Sequence, residues 1–161
     1  MKGFAKRPRV AVAPGERVLA WTEATTGEVL AGTGEALYLG GARLAWEDVE
    51  AADWDRETEV FRVIEVGTWG EVRAEHRFTI GEPRRLLELV RERVTASVLL
   101  VRHVPLEGRR GLRVIARRSP AGDRGVRWLY EYDAGIDPGD PVVVLAAESA
   151  LADARSEVGL D

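Results

Sequence analysis

Between residues 16 and 80 the apolar residues come in short runs broken by glycine, threonine and charge. Residues 17–21, Val29–Ala31, Ala36–Leu39, 42–46, 49–55, 59–66 and 76–80 form seven such runs. Turn signals at Gly27, Gly32 to Gly34, Gly40-Gly41 and Gly67 to Gly70 separate them, so the spacing predicts about seven short strands. Within the sixth run Phe61 and Val63 share one face while Val60, Arg62, Ile64 and Val66 share the other.

The period then changes. Leu86, Leu87, Val90, Val94, Val98 and Val101 recur at three- and four-residue spacing, which predicts one amphipathic helix. Pro83 suits its first turn, and Pro105 should end it near His103. Residues 112–118 and 126–133 read as a β-hairpin. Asp140-Pro141 is a cap followed by a first-turn proline. It opens a last helix with Val144, Ala147, Leu151, Ala154 and Val158 on one face. Residues 1–15 carry Lys2, Lys6, Arg7 and Arg9 without an acid and read as a basic extended arm.

Seven strands followed by an amphipathic helix resemble the pleckstrin homology-like domains of bacteria. The resemblance rests on that order and on the runs Glu16-Arg17-Val18-Leu19, Ala36-Leu37-Tyr38-Leu39 and Leu44-Ala45-Trp46-Glu47-Asp48-Val49. The whole chain also resembles a group of actinobacterial proteins from which no activity carries over. The implied α+β fold is a PH-like small β-barrel over residues 16–103, closed by its C-terminal helix. Residues 104–161 would add the hairpin and the final helix as an appendage. Phosphoinositide recognition in such domains implies basic residues in the first inter-strand loop. Glu23 to Gly27 contains none, which counts against a lipid ligand.

Composition narrows the chemistry. The 161 residues fit one domain of roughly 100–200 residues. With no cysteine, disulfides, thiolate metal sites and thiol nucleophiles are excluded. Asparagine and glutamine are absent too, and Met1 is the only methionine, a pattern reported for thermophile proteins and also expected of a GC-rich genome. The start of the chain lacks the apolar core of a secretory signal, and no run approaches a membrane span. A cytoplasmic protein is expected.

No lysine lies beyond Lys6, so a P-loop is excluded, and no GxSxG or HExxH occurs. His76 and His103 are the two histidines, with no nucleophilic constellation around them. Asp133 to Asp140 resembles a calcium loop but has Val144 where the bidentate acid belongs. The acid-rich run Glu47 to Glu59 reads as a solvated face. No enzyme, cofactor or metal is expected.

Charge is segregated. Arg102, Arg109, Arg110, Arg113, Arg117, Arg118, Arg124 and Arg127 face only Glu107 and Asp123, an excess of six positive charges over residues 102–127. From Trp128 to the end, eight carboxylates face Arg155 alone, an excess of seven negative charges. The expectation is that these segments neutralise one another, within one chain or between two. Trp128, Tyr130 and Tyr132 share one strand face and should pack on the last helix. The expected function is a non-catalytic binding or scaffolding protein whose partner is another protein, a second copy included. The alternative is binding of nucleic acid or phospholipid through the Arg-rich hairpin. Trp69, Arg109, Arg110, Arg113, Arg117, Arg118 and Arg124 are the candidate contact residues.

Overall fold

A four-residue strand buries nothing alone; it needs neighbours and a second layer. In the computed structural model, which describes residues 10–67, 72–120 and 125–159, the first four strands supply those neighbours as a meander. They are β1 (Ala20–Glu23), β2 (Val29–Gly32), β3 (Ala36–Leu39) and β4 (Ala42–Ala45). Gly40 and Gly41, with φ of 57° and 104°, make the two-residue turn between β3 and β4. A 3-10 turn at Trp46–Asp48 then redirects the chain. It leads into a second meander of β5 (Val49–Trp54), β6 (Val60–Glu65) and β7 (Glu75–Thr79).

Leu30, Leu37, Leu39 and Leu44 of the first sheet meet Val49, Phe61, Val63 and Ile80 of the second in one core. Trp46 lies at its centre, fully buried, and its indole N–H donates to the Thr33 carbonyl at 2.8 Å. The helix α1 (Arg84–Ser97) covers this core with Leu86 and Val90, assisted by Leu87, Leu89 and Val94. The α1–β2 approach is close: a Cβ on Gly32 would sit 2.6 Å from Leu89 Cδ2.

The seven expected strands are all present, but the expected barrel is not. They form two separate sheets, of four and three strands, and a third sheet follows. Closing a barrel requires tilted strands in a continuous staggered ladder. Here the strands of the first sheet are four residues long, and the turn at Trp46 breaks the ladder between β4 and β5. Among the described residues the turn after β1 meets β7 through one backbone bond, Thr25 N–H to the Thr79 carbonyl at 2.9 Å, where a seam would be. The helix α1 packs against β1, β2 and β5 instead.

A second correction concerns the end of α1. It stops at Ser97, not near His103, and residues Val98–Glu107 form strand β8. The third sheet has the order β10-β9-β8, with β9 at Arg110–Arg117 and β10 at Arg127–Tyr132. Leu100, Val104 and Leu106 of β8 pack inward and Leu99, Val101 and His103 are exposed, a two-residue period. Pro105 lies within the strand. It faces Gly111, whose N–H goes instead to Asp133 Oδ2, so the missing proline donor costs the ladder nothing.

The last helix, α2 (Pro141–Glu157), begins as expected, with the Asp140 carboxylate accepting the Val142 N–H at 2.9 Å. It packs on the inner face of the third sheet through Ala147, Ala150 and Ala154, against Leu112, Val114, Trp128, Tyr130 and Tyr132. The Tyr130 hydroxyl donates to the Ala147 carbonyl at 3.3 Å. The buried face includes Val143 rather than the expected Val144, which is exposed.

Candidate interaction surface

The third sheet collects the arginines, and most of them are already engaged. Arg113 lies 3.6 Å from Glu131 and 3.5 Å from Asp133. Arg102 pairs with Glu157 of α2, and Arg127 pairs with Asp48 of the 3-10 turn. Three acids of the C-terminal segment thus answer the basic strands within one chain, joined by Asp48 from far upstream.

Arg117, a candidate contact residue by sequence, is instead buried. Its guanidinium donates to the Val49 carbonyl at 3.2 Å and to Ser97 Oγ at 3.4 Å. Burial lowers its pKa, which the Glu50 and Glu131 carboxylates oppose. Glu50, itself 2.9 Å from Arg73, has its carboxyl pushed up by burial, against the pull of Arg73 and Arg117. Arg117 and Arg127 therefore tie the third sheet to the start of the second. They serve the fold.

Of the other candidates, Arg109, Arg110 and Arg118 are exposed, the first two at the β8–β9 turn beside Gly108. Trp69 and Arg124 lie outside the described residues. Loss of Arg113, Arg117 and Arg127 from the free pool leaves a far weaker cationic surface than the sequence excess implies.

The side chains that sequence reasoning missed are apolar. Seven large apolar residues are exposed among those described, and Leu99, Val101, Val142, Val144 and Leu145 make five of them. All five belong to β8 or α2, with Val142 at 72% and Leu145 at 66% exposure. A signal was present: residues 142–145 are four consecutive apolar residues at a helix start, and one helix face cannot bury them all. Exposed apolar groups gathered on one element, as Val142, Val144 and Leu145 are on α2, mark contact sites more often than scattered ones do.

Elsewhere the polar groups satisfy one another. Glu16, whose side chain is 1% exposed, accepts from Thr33 Oγ1 at 2.6 Å, Tyr38 Oη at 3.0 Å and Arg43 Nε at 3.2 Å. Burial alone would raise its pKa; those contacts outweigh it and hold the carboxyl below its ordinary value. The cluster pins residues 10–19 over Ala31, Ala36 and Tyr38 on the outer face of the first sheet. A groove of about 510 Å³ on the second sheet is lined by Asp53, Trp54, Asp55 and Arg62, with Arg62 paired to Asp53 at 2.9 Å.

Of the acids from Glu47 to Glu59, only Glu47 is buried, with its Oε1 unpartnered. The calcium-like segment is a turn and a cap: Asp133 accepts from Gly111 N–H, Asp137 from Gly139 N–H and Asp140 from Val142 N–H. His103 Nε2 lies 3.1 Å from Asp133, which Arg113 and the Gly111 N–H also engage, and His76 Nε2 lies 2.7 Å from Glu65. Among the described residues no acid or histidine cluster could hold a metal, and no helix is long and apolar enough to cross a membrane.

No protein-family model, curated protein or solved structure matches this chain.

Proposed function

We propose that this chain is a non-catalytic protein-binding module that meets its partner through the exposed first turns of α2. The observation that carries this is the exposure of Val142, Val144 and Leu145 together on the first turns of α2. Interfaces are marked by desolvated apolar centres with polar rims. The anionic-surface reading is disfavoured because Arg102, Arg113 and Arg127 are paired and Arg117 is buried.

A photo-crosslinking residue at position 145, with a control at the exposed Arg56, tests the proposal in intact cells. Protein adducts from position 145 and none from position 56 are expected. Adducts to nucleic acid or lipid alone would overturn it.

A further inference from the structure

Among the described residues there is a core on each side of the α1–β8 junction, and no residue belongs to both. Leu30, Trp46 and Phe61 lie in the one beneath α1, and Leu112, Val114 and Ala154 in the one beneath α2. Helix α1 passes straight into β8 at Ser97 and Val98, with no linker between them. Hydrogen bonds and ion pairs across this boundary gather around Arg117. Arg118 N–H donates to the Ser97 carbonyl at 2.9 Å, Arg117 reaches Ser97 Oγ and the Val49 carbonyl, and Arg127 pairs with Asp48. Glu50 of β5 is acted on by Arg73 from its own side and by Arg117 and Glu131 from the other.

These contacts set two effects against each other. Arg117 and Arg127 are directly opposed on β9 and β10, a like-charge pair that is unfavourable by itself. Both point away from α2, because the alternate residues Leu112, Val114, Trp128 and Tyr130 pack on it. Asp48 and Glu50, across the boundary, supply the opposite charge. Docking also takes charge out of water. Arg117 is 7% exposed and Glu50 is half-buried, and burial is the largest influence on each, drawing the guanidinium down and the carboxyl up. Their attraction for one another does not cancel it. An interface of desolvated charge without a shared apolar core leaves relative motion as the default.

We propose that the third sheet and α2 move as one body against the first two sheets and α1, hinged at Ser97–Val98, with Arg117, Arg127, Asp48 and Glu50 as the latch. Released, the outer face of the third sheet recovers the guanidinium groups of Arg117 and Arg127. The pH dependence follows from Glu50. Its carboxyl lies higher when latched than in water, so protonation favours the latched form. Latching is tightest below the ordinary carboxylate value and loosens as pH rises through the raised one.

The chain has no cysteine, so a pair of spin labels can be introduced without competing sites. Arg56→Cys and Ser149→Cys place one label at an exposed position on each side of the boundary. Double electron–electron resonance should then show two separations. Arg127→Gln removes only the exposed pair to Asp48, and should raise the fraction at the longer separation about threefold with far-ultraviolet dichroism unchanged. Added salt on the wild type should act in the same direction. Glu50→Gln should lower that fraction near neutral pH. A single separation, unaltered by Arg127→Gln and by salt, would overturn the hinge. So would a longer separation that arises only together with loss of secondary structure. A Glu50→Gln chain that opens further would overturn the role of Glu50 in the latch.

Discussion

Glu16 shows how much one buried carboxylate carries. Three side chains, Thr33, Tyr38 and Arg43, donate to it and fix the incoming chain against the first sheet. Because its folded pKa lies below the unfolded value, its contribution is full above the ordinary carboxylate range and is lost as pH falls through the lowered folded value. Glu16→Gln should therefore cost about 1.5–3 kcal/mol near neutral pH, with the deficit shrinking in acid. Urea unfolding at several pH values reads both. A pH-independent deficit would show that the charge is not what matters. At Gly111 the constraint is steric: a Cβ there would lie 1.9 Å from the Val104 carbonyl oxygen and 2.8 Å from Pro105 Cα. The obstructing atoms are backbone, so Gly111→Ala should cost about 3 kcal/mol or more in the same assay.

At the scale of elements, periodicity served best where a segment had one face to bury. The runs of β5 to β7 alternate against one core, while β2 and β3 are buried on both faces, and each was legible within a few residues. The stretch after Ser97 was not, because Val98 and Val101 extend the three- and four-residue spacing of α1 by coincidence, although Leu100, Val104 and Leu106 carry the alternation that prevails. Pro105 then read as a helix stop rather than an edge residue. The register of α2 was ambiguous for a related reason: its sheet-facing contacts are alanines, which leave room for close approach but give little contrast against Val142, Val144 and Leu145. Burial now ranks substitutions on α1. Val90, 1% exposed, should not tolerate aspartate, since an unpaired buried carboxylate costs several kcal/mol. Half-buried Val94 should tolerate it better. Thermal melts of Val90→Asp and Val94→Asp check the order, and equal losses would misplace the helix face.

For the whole molecule, the element list was readable but its assembly was not. Whether seven strands close depends on what breaks the ladder, here a three-residue turn at Trp46–Asp48. The fate of the arginines was equally hidden, because Arg127 meets Asp48 and Arg117 meets Val49 across most of the chain length. Net charge by segment located the basic strands and their acidic partners Glu131, Asp133 and Glu157, yet could not say which guanidinium groups are consumed within the fold. Arg117→Ala leaves the Val49 carbonyl without its donor and should cost about 1–3 kcal/mol in denaturant unfolding. No loss would free that arginine from a structural role. Arg117 and Arg127 hold the molecule together, and the proposed partner is a protein, not an anion. Fluorescence anisotropy of labelled duplex DNA titrated with the intact chain, at low and at physiological salt, tests it most directly. No saturable binding is expected at physiological salt; submicromolar binding that weakens steeply with added salt would make an anion the partner.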